Sequence, residues 1–453
     1  MRSAPAMGLH QWVRILSNLS GVNAMCIKSK SFLILCLVLL ATCFSGCSRA
    51  SADTVANAAT ISTEIESPEI KAVLEQISQK PDSANGYVRL ASLYIKKARE
   101  TGDFSINKKA DESIDKAIAI APDDINARKL KASLYLTFHR FDEGLEAGKK
   151  LAEELPNDSF VFGVLTDANA ELGNYAEAVE AAQKMVDLKP NSSSYARVAH
   201  IRSLHGDHKG AVEMYKLAAR TADKADKENQ SWCLTQLGDE YWRNGKLDAA
   251  EKVYDEALRV LPDFPLAVFG KGRVRAAKGD LESALPLISA SVERSPHTGS
   301  IIYYGDVLRA AGKTEAAERI YALANNAEVL GDVHDAHRVA LFWADNDLNI
   351  DDAVKVAAAD YAQQQDIYAA DILAWCLYKA GRFSEAQEKS KEALRISSND
   401  AVLYYHAGMI ETALGNRSKA ELNLKRALSL NATFDLKQSA IAQAALKEIQ
   451  TKM

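Results

Sequence analysis

The sequence predicts an all-α fold, an α-solenoid of about ten short helix pairs. Prolines recur at an interval of 34 residues, at Pro122, Pro156 and Pro190 and again at Pro262 and Pro296. Each proline ends a segment of helical periodicity and is followed by a polar turn. Small residues stand at fixed offsets between the prolines, as expected for a repeat of 20 to 50 residues. No segment shows the alternation of apolar and polar residues that is typical of a strand.

The composition agrees with a folded protein of ordinary polarity. The chain has 453 residues, of which 47% are hydrophobic and 25% charged, and its formal net charge is -5. Ten prolines and 23 glycines are too few for a disordered or collagen-like chain. A weakly acidic balance gives no electrostatic reason to expect nucleic acid as a partner.

The clearest repeat runs from Leu234 to Pro262. Its characteristic residues are Leu234, Leu237, Gly238, Tyr241, Gly245, Leu247, Ala250, Tyr254, Ala257 and Pro262. This set resembles the tetratricopeptide repeat at nearly every signature position, and the exception is Leu234, where that family prefers tryptophan. The resemblance implies two antiparallel helices per unit and a right-handed superhelix of stacked units.

About ten such units fit between Pro81 and Phe434, and the residues from His334 to Asp366 match least well. The phase slips at 99–106, at 220–230 and after Ala324, where we expect long loops or extended helices. A glycine that ends the first helix of a unit favours the left-handed conformation. Such glycines occur at Gly173, Gly206, Gly245, Gly279, Gly312, Gly381 and Gly415.

The N-terminal segment has the features of an export signal. Lys28 and Lys30 precede an apolar run at 32–40, which is of signal-peptide length and too short to span a bilayer comfortably. The following residues, Phe44-Ser45-Gly46-Cys47, resemble the lipobox of bacterial lipoproteins, although that family usually has leucine where Phe44 stands. The resemblance implies lipidation of Cys47 and cleavage before it.

Two alternatives for this segment remain open, namely ordinary cleavage after Ala50-Ser51-Ala52 and an uncleaved anchor helix. Met25 begins a compact signal peptide by itself, so it is a candidate start. In lipoproteins of bacteria with two membranes, aspartate after the lipidated cysteine resembles an inner-membrane signal. Ser48 stands there, which favours the periplasmic face of the outer membrane. We therefore divide the chain into a signal peptide at 1–46, a flexible tether at 47–66, a leading helix at 67–80, the repeat array at 81–434 and a capping helix at 435–453.

The resemblance also indicates where a partner would bind. In tetratricopeptide proteins the first helix of each unit lines a concave inner face, where peptides or helices usually bind. Trp, Tyr and Arg dominate protein-binding energy, although single members of such a set often serve as packing or solvated surface. The residues carried over by position are Trp232, Trp242, Arg243, Phe269, Arg273, Asp306, Arg309, Asp371, Trp375, Tyr378 and Tyr405.

No pattern in the sequence indicates catalysis or a cofactor. His334 with His337 and His205 with His208 lack the further ligands that a metal site needs, so we interpret them as solvated histidines. No phosphate-binding loop follows a strand, and no nucleophile lies in a recognised elbow. Cys233 and Cys376 are too far apart in a linear array to form a disulfide. We expect no catalytic residue, metal, cofactor or small-molecule substrate.

The sequence therefore predicts a lipid-anchored scaffold or adaptor that binds a partner protein or peptide and does no chemistry of its own. Assembly of a pilus, a secretion system or an outer-membrane machine fits this class. An alternative is an accessory subunit that tethers an envelope enzyme for glycan or polysaccharide export.

Overall fold

All regular structure in the described residues is helical. The structure is a computed structural model that describes residues 67–325 and 336–451, so the predicted signal peptide, the tether and His334 lie outside the described residues. The helices are α1 Pro68–Gln79, α2 Ala84–Thr101, α3 Asn107–Ile120, α4 Ile125–Thr137, α5 Phe141–Glu154, α6 Ser159–Glu171, α7 Tyr175–Leu188, α8 Ser192–Leu204, α9 His208–Thr221, α10 Lys227–Arg243, α11 Leu247–Val260, α12 Pro265–Ala277, α13 Leu281–Arg294, α14 Thr298–Ala310, α15 Thr314–Ala324, α16 Ala336–Asp345, α17 Ile350–Gln363, α18 Ile367–Lys379, α19 Phe383–Ala393, α20 Ala401–Ala413, α21 Arg417–Leu430 and α22 Gln438–Thr451.

Helices α2 to α21 form ten consecutive pairs, which we call repeats 1 to 10, from α2 with α3 to α20 with α21. The helices of each pair pack against each other and against those of the neighbouring pairs in the chain, as in a solenoid. These pairs confirm the predicted all-α solenoid of about ten units. Helix α1 lies in the segment predicted to lead the array, and α22 lies in the segment predicted to cap it.

The irregular stretches of the sequence have simple structural forms. A short 3-10 helix at Phe104–Ile106 occupies the first phase slip, and α10 is extended to 17 residues after the second. The weakly matching stretch still forms the pair α16 and α17, and residues 326–335 before it lie outside the described residues. Within the described ranges, none of the helices combines the length and apolar character that crossing a membrane requires.

Glycine ends the first helix in eight of the ten repeats. All seven predicted glycines, and Gly102 as an eighth, have φ between 65° and 81°. His139 and Asp347 hold this left-handed conformation in repeats 2 and 8, with φ of 54° and 55°. Only glycine adopts it without steric cost from a Cβ atom, so these two turns carry a cost that the glycine turns avoid.

Small residues let the helices approach one another around buried tyrosines. A Cβ atom on Gly238 would lie 2.5 Å from the Tyr254 ring, and one on Gly270 would collide with the same ring from the next repeat. Gly305 has the same relation to Tyr321. Each tyrosine thus fills space that glycine leaves, as the predicted packing requires.

Repeats that stand five places apart in the array also contact each other through hydrogen bonds. Ser295, which ends repeat 6, donates through its Oγ to the carbonyl of Gly102 in repeat 1 at 3.1 Å. The Ile367 amide, at the end of the loop that follows repeat 8, donates to the hydroxyl of Tyr175 in repeat 3 at 2.9 Å.

The same register continues in the following repeats. Asn399, before repeat 10, donates through Nδ2 to the Gly206 carbonyl of repeat 4 at 2.8 Å. Asn431, after repeat 10, donates to the Trp242 carbonyl of repeat 5 at 3.0 Å. The loops that follow repeats 6, 8, 9 and 10 therefore rest on the turns of repeats 1, 3, 4 and 5. We call these hydrogen bonds the turn-to-loop contacts.

Candidate functional site: the inner face and its cavity

The predicted inner-face residues of repeats 5 and 6 form one aromatic and cationic cluster. The Arg273 guanidinium lies 4.5 Å from the centroid of the Trp242 ring and 5.4 Å from that of Phe269. It pairs with Asp239, whose Oδ1 also accepts from the Tyr254 hydroxyl at 2.7 Å. The buried Nε1 of Trp242 has no hydrogen-bond partner within the described part of the chain. Three predicted residues from two repeats thus meet in a rigid group.

Arg243 lies beside a buried carboxylate that sequence reasoning missed. Glu240 is fully buried and accepts from Ser203 Oγ at 2.7 Å, while Arg243 lies 3.5 Å away. His208 contacts Glu240 at 2.5 Å and the Asn399 carbonyl at 3.1 Å, so our interpretation of His208 as a solvated histidine was wrong. Burial alone would raise the pKa of Glu240, but hydrogen bonds from His208 and Ser203 hold it below its usual value.

In repeat 7, Asp306 and Arg309 both contact Tyr321. The Tyr321 hydroxyl donates to Asp306 at 2.7 Å, and the Arg309 guanidinium lies 4.5 Å from the centroid of the Tyr321 ring. Arg309 also pairs with the exposed Glu318 at 2.9 Å. Burial raises the pKa of Asp306 to about 6. Arg309 is the accessible member of this group.

Three of the predicted residues in repeats 9 and 10 are buried. Trp375 lies between Tyr378 and His406, with ring centroids 4.8 Å and 4.1 Å away, and Asp371 contacts His406 Nδ1 at 2.8 Å. Asp371, Trp375 and Tyr405 expose 4%, 3% and 1% of their surfaces. In this conformation they pack the core, whereas Tyr378 is half-buried at its edge.

A cavity of about 570 Å³ lies within the first six repeats, lined by residues of repeats 1, 3, 4, 5 and 6. First helices supply most of its wall, and Ser295 closes it against Gly102 through a turn-to-loop contact. Of the residues predicted from sequence, only Trp232 lines it. The lining residues are Arg99, Gly102, Phe104, Thr166, Asp167, Ala170, Glu171, Ser193, Ala196, Arg197, His200, Tyr215, Glu228, Asn229, Trp232, Gln236, Phe264, Pro265, Leu266 and Ser295.

Burial keeps two titratable groups of this wall largely uncharged at neutral pH. Burial, with nearby Asp366 and Asp167, raises the pKa of Glu171 to about 8. Burial lowers the pKa of His200 to about 4, and Arg243 adds to the effect. His200 is accessible to solvent, but it faces a cavity with protein around it, so loss of hydration still governs its charge.

The site residues show no metal-binding constellation. In residues 67–325 and 336–451, no three His, Cys, Asp or Glu side chains converge in a way that could hold a metal ion. Cys233 and Cys376 are buried and free, and burial raises the pKa of both thiols to about 12. A protonated buried thiol is a poor nucleophile.

Two segments of the chain match family models of the tetratricopeptide repeat, residues 235–297 and residues 401–434. The chain therefore carries tetratricopeptide repeats. It is similar to a TPR repeat-containing protein of Methanocaldococcus jannaschii, with 23% identity over 375 residues. That alignment covers 74% of this chain, and the chain spans 60% of the length of this relative.

Solved structures give more distant likenesses. A tetratricopeptide repeat protein from Parabacteroides merdae is 20% identical, with a TM-score of 0.35 over 57% of this chain and 98% of that one. A human IFIT1 dimer with PPP-AAAA is 13% identical, with a TM-score of 0.46 over 83% of this chain and 90% of that one. A MamA protein is 19% identical, with a TM-score of 0.30 over 38% of this chain and 91% of that one.

Proposed function

We propose that this protein is a scaffold or adaptor that binds a partner protein or peptide on its inner face. The observation that carries the proposal is the cluster of Trp242, Phe269 and Arg273, which presents aromatic rings and a guanidinium on a rigid support. Such residues supply most of the energy of protein interfaces when they lose water on binding.

Site-specific photocrosslinking tests this proposal. A photoreactive residue is introduced at Trp242 or at Tyr378 in cells that express the full chain. The control position is Leu422, which is 68% exposed on the last repeat and lies outside the predicted groove set. We expect the same partner protein to be captured at Trp242 and Tyr378 and not at Leu422. Equal capture at all three positions, or none at Trp242, would contradict the proposal.

The identity of the captured protein separates the two versions of the function. A pilus, secretion or outer-membrane component supports a role in envelope assembly. A glycan or polysaccharide-export enzyme supports the alternative, an accessory subunit that holds the enzyme in place.

We further propose that the chain is anchored by a lipid on Cys47 at the periplasmic face of an envelope membrane, the outer membrane where there are two. The support is the sequence alone: a basic and apolar leader followed by Phe44-Ser45-Gly46-Cys47. Metabolic labelling with a fatty acid tests it in a Cys47→Ala variant, with Cys43→Ala as the matched control. We expect Cys47→Ala to lose incorporation of labelled fatty acid and Cys43→Ala to retain it. A Cys47→Ala protein that still takes up the label would exclude the lipidation site.

A further inference from the structure

We propose that the cavity of the first six repeats binds an uncharged, extended peptide segment of the partner, with an apolar side chain against Trp232. This inference rests on the proposed function, because it assigns a location and a chemistry to part of the guest. The volume, about 570 Å³, lies within the range of ligand pockets, roughly 300–1,000 Å³. It is large enough for a few residues of a chain.

The charges of the wall argue for an uncharged guest. Arg197 donates to both oxygens of Asp167, at 2.8 Å and 2.6 Å, and Arg99 lies 3.5 Å from Glu228. The strong cations of the wall therefore already have carboxylate partners. A charged guest would lose its hydration without gaining a free counter-ion, which is costly in a site of low polarity.

The hydrogen-bonding groups of the wall suit a peptide backbone. The side chains of Trp232, Gln236 and His200 line the cavity, and none has a hydrogen-bond partner among the described residues. The indole offers a donor, while the amide and the neutral imidazole each offer a donor and an acceptor. Groups of both kinds along one wall complement the alternating N–H and C=O groups of an extended chain.

The apolar part of the wall is the reason to expect an apolar side chain on the guest. Trp232 of repeat 5 shares the cavity with Ala196 of repeat 4 and with Phe264 and Leu266 at the start of repeat 6. Burial of an apolar side chain there would remove it from water and so stabilise the complex. Aromatic platforms of this kind are typical of interface hot spots.

Binding to an array of capped hexapeptides, graded in net charge and apolar content, tests the inference with the full-length protein. We expect the uncharged, apolar peptides to be retained. Their lysine- or glutamate-substituted counterparts should bind at least about tenfold more weakly. Retention of the charged peptides at equal strength, or of no peptide, would overturn it.

Two variants assign that binding to the cavity. Ala196→Phe fills it, and Gln236→Leu removes a hydrogen-bonding group at similar size. The matched control is Ala176→Phe, on the exposed face of α7. We expect both cavity variants to weaken binding of the retained peptides about tenfold. The Ala176→Phe variant should bind them as the wild type does, and the circular dichroism spectra of all variants should be equal.

The outcomes separate the inference from the proposed function. If the variants leave peptide binding unchanged while Trp242 still crosslinks a partner, the cavity assignment is wrong and the scaffold proposal stands. If Trp242 captures no partner, the scaffold proposal itself fails. Displacement of the peptides by a small neutral molecule from a cell extract would contradict a peptide guest.

Discussion

The first and second halves of the array have the same turns in different surroundings. Glycine holds the left-handed conformation at Gly173 in repeat 3 and at Gly312 in repeat 7, with φ of 73° and 72°. A Cβ atom on Gly173 would collide with the Gln365 carbonyl of a later loop, whereas one on Gly312 would meet nothing within 4 Å. The glycine turns of repeats 1 and 4 are likewise covered closely enough for a Cβ atom to collide, and that of repeat 5 is covered at ordinary contact distance. Those of repeats 6, 9 and 10 are open.

The residues that follow the second helix of a repeat also differ between late and early repeats. Repeats 6 and 10 end at Ser295 and Asn431, whose side chains make turn-to-loop contacts. The equivalent helix ends in repeats 1, 2 and 3 are Ala121, Leu155 and Lys189, and none of these makes such a contact in the described structure. Repeats that share one packing plan thus differ at their edges, because only the later loops rest on an earlier turn.

The largest expected effect is a loss of stability, and it should be greater at a glycine turn that a later loop covers than at an open one. Gly173→Ala and Gly312→Ala both place a Cβ at positive φ, which costs about 1 kcal/mol. Gly173→Ala must also displace the backbone of the later loop, which adds roughly 1–3 kcal/mol. Urea denaturation followed by circular dichroism should show the larger loss for Gly173→Ala. Equal losses would mean that the later loop does not rest on this turn in solution.

The second effect concerns Glu171, which lines the cavity and accepts from Gln364 of the later loop at 3.0 Å. Its folded pKa of about 8 lies above the ordinary value of 4.5. The folded state therefore binds its proton more tightly, and the free energy of unfolding falls as the pH rises from about 4.5 to 8.

Substitution Glu171→Gln should remove this decline, which we expect to total about 2 kcal/mol because water in the cavity screens part of the shift. Denaturation at a series of pH values measures it. Glu177→Gln, on the exposed face of α7, is the control and should keep the wild-type slope. A wild-type slope in Glu171→Gln would show that Glu171 remains ionised.

A smaller effect is expected from a single turn-to-loop contact. Asn399→Ala removes the donor to the Gly206 carbonyl and should lower stability by about 1 kcal/mol. Hydrogen exchange should quicken in repeats 4 and 10. The control Asn416→Ala loses a bond to Glu411 within repeat 10 only, and exchange in repeat 4 should not change. If both variants affect repeat 4 alike, the effect is not specific to the contact.

The smallest effect is a gain in stability at an open turn. Asp347 holds φ of 55° where most repeats have glycine, and its side chain, which pairs with Lys379, is 71% exposed. Asp347→Gly should raise stability by about 0.5–1 kcal/mol, because glycine accepts this conformation without strain. Thermal denaturation measures the gain, and Asp347→Ala should show none. A loss on Asp347→Gly would mean that the ion pair outweighs the strain.

The sequence predicted the local structure well because each repeat is specified by nearby residues. Pro262, Gly245 and Ala250 fix where a helix ends, where the chain turns and where helices cross, and all lie within one repeat. The glycine turns and the ten pairs follow from this pattern. The turn-to-loop contacts could not be predicted, because they join residues about 190 positions apart and depend on a small rotation summed over five repeats.

The inner face was predictable in part for the same reason. Trp242, Phe269 and Arg273 meet because adjacent repeats stack in register. Trp375 and Tyr405 share the positional pattern but are buried, since His406 and Phe434 pack against them. The cavity was missed because Ser295 and Gly102 close it from opposite ends of the first six repeats. Polar residues at the ends of later repeats, such as Ser295 and Asn431, were the one available signal.

The contact between Gly102 and Ser295 tests the account most directly. Cysteines replace both residues in the full chain, at positions where a Cβ built on Gly102 lies 2.7 Å from that of Ser295. Disulfides need Cβ atoms about 3.5–4.5 Å apart, so a small shift suffices. We predict that mild oxidation of the monomer yields a peptide pair joining positions 102 and 295 by mass spectrometry. The control double variant, Gly312→Cys with Ser295→Cys, should yield none. If positions 102 and 295 stay unlinked, or link no better than the control, the first and second halves of the array do not meet.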